Sequence, residues 1–218
     1  MILAMMLAAA EPMTAVDAER AFAADAQKMG QWTAFRKYAA DDAVTFVPQP
    51  TNAQAWLKDK KDPPVSVFWW PGRSYVSCDG NFAINTGPWV REWGKSVGYF
   101  TTVWKRQPDG NWKWLLDHGD ALPAARAEGG DVQPIKASCA GDPPGDELII
   151  VGPASRVSLE TGVTPRQSVT RASGRSDDNT LGWTWVVGAD GARTFVAHMW
   201  TGEKFETIVT DAVEAPPE

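Results

Sequence analysis

The chain has 218 residues, of which 44% are hydrophobic and 22% are charged, and its formal net charge is −6 at pH 7. This composition is typical of a globular protein and argues against a disordered, collagen-like or coiled-coil chain. The acidic balance gives no basic surface for nucleic acid or an anionic membrane, so neither is expected as a partner. The length fits one domain with an additional segment.

The N-terminal segment, residues 1–10, reads MILAMMLAAA and ends in the A-x-A pattern that is typical of signal-peptide cleavage sites. It is short for a signal peptide and has no basic residue before it, which a start codon placed too far downstream would explain. The alternative is an apolar first turn that extends the next helix. We expect a signal peptide over 1–10, a periplasmic or secreted protein, and no membrane span.

Helices are predicted in the N-terminal part of the chain. Thr14 followed by an acid predicts a helix start, and apolar residues recur at helical spacing as far as Gly30, which fits a C-terminal cap. A second helix is predicted to end at 41–42, before a strand over 43–47, and Asn52 could cap a short third helix.

Strands are predicted after residue 64, because the hydrophobic period changes to two. Asp-Gly pairs at 79–80 and 109–110 predict hairpin turns. The chain is therefore divided into an α+β domain (11–120), a linker (121–147), a β-rich extension (148–210) and a tail (211–218). Strands over 181–187, 193–200 and 205–209 predict a three-stranded meander that packs on the first domain.

Cys78 and Cys139 are the two cysteines of the chain. If the protein is exported, a disulfide between them is expected, and the alternative is two buried thiols. With two histidines at unrelated spacing, they do not form a common zinc site, and no phosphate- or dinucleotide-binding motif occurs. We expect no metal and no cofactor.

Two segments resemble a known superfamily. ERAFAADAQKMGQWTAFRKYAADDAVTFVP has two helices, the second ending in Tyr, and an acid-rich turn into a strand, while GYFTTVWKRQPDGNWKWLLDHGDA has Trp before an Asp-Gly turn and Trp and Asp after it. Over about 14–120 the chain resembles small bacterial members of the nuclear transport factor two-like superfamily, the cystatin-like α+β cone.

The resemblance implies a fold and a pocket, with no single function. It implies N-terminal helices packed on a curved antiparallel sheet, with an apolar pocket at the open end of the cone. The superfamily contains dehydratases, isomerases, cyclases and proteins without known chemistry. The Tyr and two acids of its steroid isomerases have no matching positions in this sequence.

Aromatic residues on the predicted cone elements could line that pocket, and the chain has 12 Trp against 3 Tyr. Core packing is the alternative for each residue taken separately, but as a set they favour a flat or cyclic apolar ligand. The candidate ligand-binding residues are Trp32, Tyr38, Trp56, Trp70, Trp89, Tyr99 and Trp104.

Asp117 and His118 are the candidate catalytic residues. Alternation along a strand predicts that His118 shares a face with Trp112, Trp114 and Leu116, and that Asp117 lies on the other face. Whichever faces the pocket could act as general acid or base, and an apolar pocket would raise the pKa of Asp117. The alternative is a strand-end pair bonded to nearby loops.

Three functions follow as hypotheses. The first is an exported protein that binds a small apolar or aromatic molecule, with weak catalysis or none. The second is a cofactor-free lyase or isomerase that uses His118 or Asp117. The third is an interaction module that forms a homodimer through the outer face of the sheet, a face that the C-terminal strands could complete or block.

Overall fold

The computed structural model of the protein describes residues 13–126, 131–144 and 169–217. The predicted signal peptide and the apolar run at 148–151 lie outside the described residues. The helices of the described part are Ala15–Met29 (α1), Gln31–Tyr38 (α2) and Ala53–Leu57 (α3), with a 3-10 turn at Glu92–Gly94. Its strands are Ala39–Phe46 (β1), Pro50–Asn52 (β2), Phe68–Trp69 (β3), Arg73–Val76 (β4), Phe82–Arg91 (β5), Ser96–Arg106 (β6), Trp112–Leu122 (β7), Ile135–Lys136 (β8), Thr170–Arg175 (β9), Leu181–Val187 (β10), Arg193–Trp200 (β11) and Phe205–Val213 (β12).

The helices begin where the sequence predicts. Thr14 and Asp17 form a reciprocal capping box at the start of α1, and each backbone N–H lies 3.1 Å from the other residue's side-chain oxygen. The second helix ends earlier than predicted, at Tyr38, because Ala39 already belongs to β1 and lies opposite Trp114 of β7. The acids at 41–42 are therefore exposed strand residues and do not end a helix.

The first sheet has the order β2-β1-β7-β6-β5-β4-β8, and β3 pairs with β5 outside this path. The expected antiparallel sheet is in fact mixed, because β1 pairs with β7 and β8 pairs with β4 in parallel. Strand β8 belongs to the predicted linker, so part of that segment is built into the sheet. The three helices pack on one face of this sheet around a core that includes Phe22, Trp104 and Trp114.

A β-bulge in β7 reverses the sheet faces that were predicted for Asp117 and His118. Val103 lies opposite Leu116, but the next residue, Trp104, lies opposite Trp114, so Leu115 is an extra residue in β7. The alternation shifts by one at this point. Trp114 packs with the helices, whereas Leu116 packs in the core on the other side of the sheet. The prediction that His118 shares the face of Trp112 and Trp114 is therefore wrong.

The C-terminal strands form a second, antiparallel sheet with the order β12-β11-β10-β9. It has four strands instead of the predicted three. Strand β9 was not predicted because it is mostly exposed and lacks the apolar alternation that marks a half-buried strand. Leu181, Val187 and Phe195 of this sheet pack against Ile84 and Leu116 of the first sheet. Dimerisation through that outer face would require the second sheet to leave it.

A disulfide between Cys78 and Cys139 closes a separation of 61 residues, with 5.2 Å between the Cα atoms. The segment that carries Cys139 touches both sheets. Its Ala137 N–H donates to Val76 O at 2.8 Å, and its Ala140 O accepts from Trp200 Nε1 at 2.8 Å. The disulfide therefore holds a bridging segment, residues 131–144, between the two sheets.

Candidate functional site

A cavity of about 390 Å³ lies between the three helices and the first sheet, which is a volume suited to a small organic molecule. Strands β1 and β3 and the far ends of β5, β6 and β7 complete its walls. Ten of its 23 lining residues are aromatic, namely Phe22, Trp32, Phe35, Phe46, Trp56, Trp69, Trp89, Tyr99, Phe100 and Trp114.

Four of the seven predicted aromatic residues line this cavity: Trp32, Trp56, Trp89 and Tyr99. The rings of Trp32 and Trp56 meet edge to face with 5.3 Å between centroids. The indole of Trp89 is fixed by a 2.9 Å hydrogen bond from its Nε1 to Tyr99 O. These contacts hold flat apolar surfaces at defined angles, which is how a rigid aromatic pocket is built.

The other three predicted residues lie elsewhere. Trp104 is fully buried in the core and donates a 2.7 Å hydrogen bond to Glu19. The Tyr38 hydroxyl donates to Asp25 at 2.9 Å, and the ring of Trp70 packs beside Phe68. These are structural contacts. The sequence therefore identified aromatic residues of this domain, but it did not separate those that line the cavity from those that pack in the core.

Asp117 lines the cavity on the helix side of the sheet. It keeps some accessible surface, and its Oδ1 accepts a 2.7 Å hydrogen bond from the Thr102 hydroxyl. Loss of hydration raises the pKa of Asp117 to about 7, against the opposing effect of that hydrogen bond. A carboxyl group in this state can give up or accept a proton near neutral pH.

His118 is turned towards the second sheet because of the bulge. Its Nε2 lies 3.4 Å from Asp211 Oδ2, an oxygen that also accepts a 2.7 Å hydrogen bond from the Thr101 hydroxyl. Its Nδ1 has no hydrogen-bond partner among the described residues. Burial lowers the pKa of His118, and the nearby Asp211 opposes that effect. His118 still borders the cavity, which continues along β7 past the end of β1.

Glu19 is the acid that the sequence interpretation missed. It is fully buried in α1, and its carboxylate accepts hydrogen bonds from Trp69 Nε1 at 2.8 Å and Trp104 Nε1 at 2.7 Å. Burial raises the pKa of Glu19 to about 7. A signal was present, because Glu19 is one helical turn from Ala15 and from Ala23 within the apolar stripe of α1.

Arg193 was also missed, and its sequence position gives no hint of a role at the cavity. It starts β11 in the second sheet, yet it lines the same cavity as Asp117 and His118. Its Nη2 donates a 2.7 Å hydrogen bond to Gly119 O. Only the packing of the second sheet on the first brings these residues together.

No group of three or more His, Cys, Asp or Glu residues in 13–126, 131–144 and 169–217 is placed to hold a metal ion. Within the same ranges, none of the helices combines the length and apolar character needed to cross a bilayer.

Comparison with known proteins gives structural neighbours. No protein family matches the chain, and no curated protein does. A provisionally named ketosteroid isomerase from Parabacteroides distasonis is 18% identical, with a TM-score of 0.40 over 50% of this chain and 89% of that one. A nuclear transport factor 2-like superfamily protein from Salmonella enterica is 12% identical, with a TM-score of 0.38 over 53% of this chain and 94% of that one. An NTF-2-like protein of unknown function from Shewanella oneidensis is 16% identical, with a TM-score of 0.37 over 46% and 91%.

Two of these three neighbours bear the name of the superfamily that residues 14–120 resemble. Identities at this level concern the fold of about half of the chain and give no function.

Proposed function

We propose that the protein binds a small, largely apolar or aromatic molecule in the cavity between its helices and its first sheet. The observation that carries the proposal is the cavity of about 390 Å³, of whose 23 lining residues ten are aromatic.

Binding of the neutral fluorescent probe N-phenyl-1-naphthylamine tests this proposal. We expect the probe to bind the wild-type protein and Trp56→Ala to weaken binding by about tenfold or more, because one apolar wall is lost. Trp93→Ala is the matched control, since Trp93 is 94% exposed and lies outside the cavity lining. Absence of probe binding to the wild-type protein, or equal affinities in all three proteins, would contradict the proposal.

An oxidising compartment is the proposed place of action. The support is the Cys78–Cys139 disulfide, a bond that persists in secreted and periplasmic proteins and is rare in the cytosol. Peptide mapping of the protein extracted with a thiol-blocking reagent tests this, since blocked cysteines would indicate a reducing compartment.

Proton transfer is the second candidate function, as a cofactor-free lyase or isomerase, and Asp117 is the specific observation in its favour. Its carboxyl group borders the cavity and has a pKa of about 7, which suits a general acid or base. Asp117 is favoured over His118 because the His118 imidazole is turned towards Asp211.

Exchange of the acidic α-hydrogens of 2-tetralone in D₂O measures this activity by NMR. We expect the wild-type rate to rise with pH through about 7, because the base must lose its proton before it can act. Asp117→Asn is expected to slow exchange about 100-fold or more. Asp42→Asn, at an exposed position on β1, is the control. A wild-type rate equal to the buffer rate would remove this candidate.

A further inference from the structure

One end of the cavity is built by both sheets. Arg193 of β11 lines it together with Tyr99 of β6 and His118 and Asp120 of β7. We call these four residues the polar end. The Arg193 guanidinium is held by its hydrogen bond to Gly119 O and lies 5.0 Å from the centroid of the Phe46 ring. The second sheet therefore contributes a fixed cation to a cavity whose other walls come from the first sheet and the helices.

Two donors at the polar end lack an acceptor. Tyr99 is 3% exposed, and its hydroxyl has no hydrogen-bond partner among the described residues. The Nε of Arg193 is likewise buried and without a partner in that part of the chain. Buried polar atoms are nearly always paired, by protein, water or ligand. Arg193 lines the cavity and keeps some accessible surface, so it is the residue of this pair that a ligand can reach.

The charges around the cavity favour an anion. Arg91 and Arg193 line it, and in the described residues no carboxylate lies within salt-bridge distance of either. The lining acids are Asp117, which is largely uncharged below its pKa of about 7, and Asp120. Asp211 lies behind His118 and forms an ion pair with Arg126, whose Nη2 is 3.7 Å from Asp211 Oδ1. Arg91 and Arg193 therefore line the cavity without a carboxylate of the described residues in direct ion-pair contact, which leaves them available to an anionic ligand.

Resting on the proposed binding function, we propose that the ligand is an apolar or aromatic carboxylate whose charged group is bound by Arg193 at the polar end. Arginine presents its N–H groups in a planar fork that matches a carboxylate, and such charge-assisted bonds are stronger than neutral ones. The apolar body of the ligand then lies among the aromatic walls. The C-terminal sheet thus determines which molecules the cavity accepts.

Matched probe pairs test this assignment. The pairs are benzoate with toluene and 2-naphthoate with 2-methylnaphthalene, and affinities are measured near pH 7 by quenching of tryptophan fluorescence. For at least one pair, we expect the carboxylate to bind the wild-type protein about tenfold or more tightly than its hydrocarbon. Arg193→Met keeps the length and the apolar stem of the side chain, and should abolish this preference.

Two further variants separate binding from folding. Arg193→Lys keeps the charge without the fork and should retain part of the preference. Arg171→Met, at an exposed position on β9 of the same sheet, should behave as wild type. If carboxylate and hydrocarbon bind equally, or if Arg193→Met keeps the preference, the carboxylate assignment is overturned and the cavity remains a binding site. If no probe binds, the binding function itself fails, and the assignment fails with it.

Discussion

Glu19→Ala is expected to lower the free energy of unfolding by about 3–5 kcal/mol, because it removes a buried side chain and the acceptor of several buried donors. The Trp69 and Trp104 indoles each lose their hydrogen bond, and the Asn85 amide loses a 3.3 Å contact. Urea unfolding followed by fluorescence measures the loss. Glu203→Ala, at an exposed position, is the matched control. A loss below about 1 kcal/mol would show that this hydrogen-bonded cluster contributes little.

The loss of unfolding free energy caused by Glu19→Ala should also depend on pH. The folded-state pKa of Glu19 is about 7, above its ordinary value of 4.5, so the folded protein binds the proton more tightly than the unfolded chain. This stabilisation is present below pH 4.5 and is lost as pH rises to about 7. Linkage gives a change on the order of 3 kcal/mol. The penalty of Glu19→Ala should therefore be larger at acidic than at alkaline pH, and subtracting the variant curve removes the opposite contribution of the histidines, whose pKa values are lowered.

The double variant Cys78→Ser, Cys139→Ser should lose about 4 kcal/mol of stability in the chain-entropy description, because the disulfide closes a loop of 61 residues. The bond also holds the bridging segment against both sheets, so its removal should loosen the second sheet first. Urea unfolding and amide hydrogen exchange in β10 and β11 measure the two effects. The reduced wild-type protein is the control and should match the variant. An unchanged midpoint would show that non-covalent contacts alone fix the segment.

Much of the first sheet was predictable because its signals are local. The Thr14 capping box and the two Asp-Gly turns depend on a few adjacent residues, and the structure has the helix start and the hairpins they indicate. The bulge at Leu115 was not predictable, because an extra residue in a strand has no distinctive composition. One such residue reversed the faces of Asp117 and His118, so the prediction failed where the candidate chemistry lies.

The candidate site was only half predictable for a related reason. Trp32, Trp56, Trp89 and Tyr99 line the cavity, whereas Trp104, predicted together with them, is fully buried in the core. The sequence does not show which aromatic side chains border a cavity and which are enclosed by packing. Arg193 follows Ala121, the nearest in sequence of its cavity neighbours on β7, by 72 residues, and no local sequence pattern connects the two. Its position depends on how two sheets pack, which is a long-range property.

The covered outer face also has a consequence for synthesis of the chain. Ile84 and Leu116 leave the ribosome well before their partners on the second sheet, and Val209, the last of these partners, follows Leu116 by 93 residues. At ordinary elongation rates of about 5–20 residues per second, this apolar surface remains exposed for roughly 5–20 seconds before the second sheet has been synthesised. A nascent chain in this interval exposes the kind of surface that chaperones bind, so the yield of folded protein depends on how fast its final strands arrive.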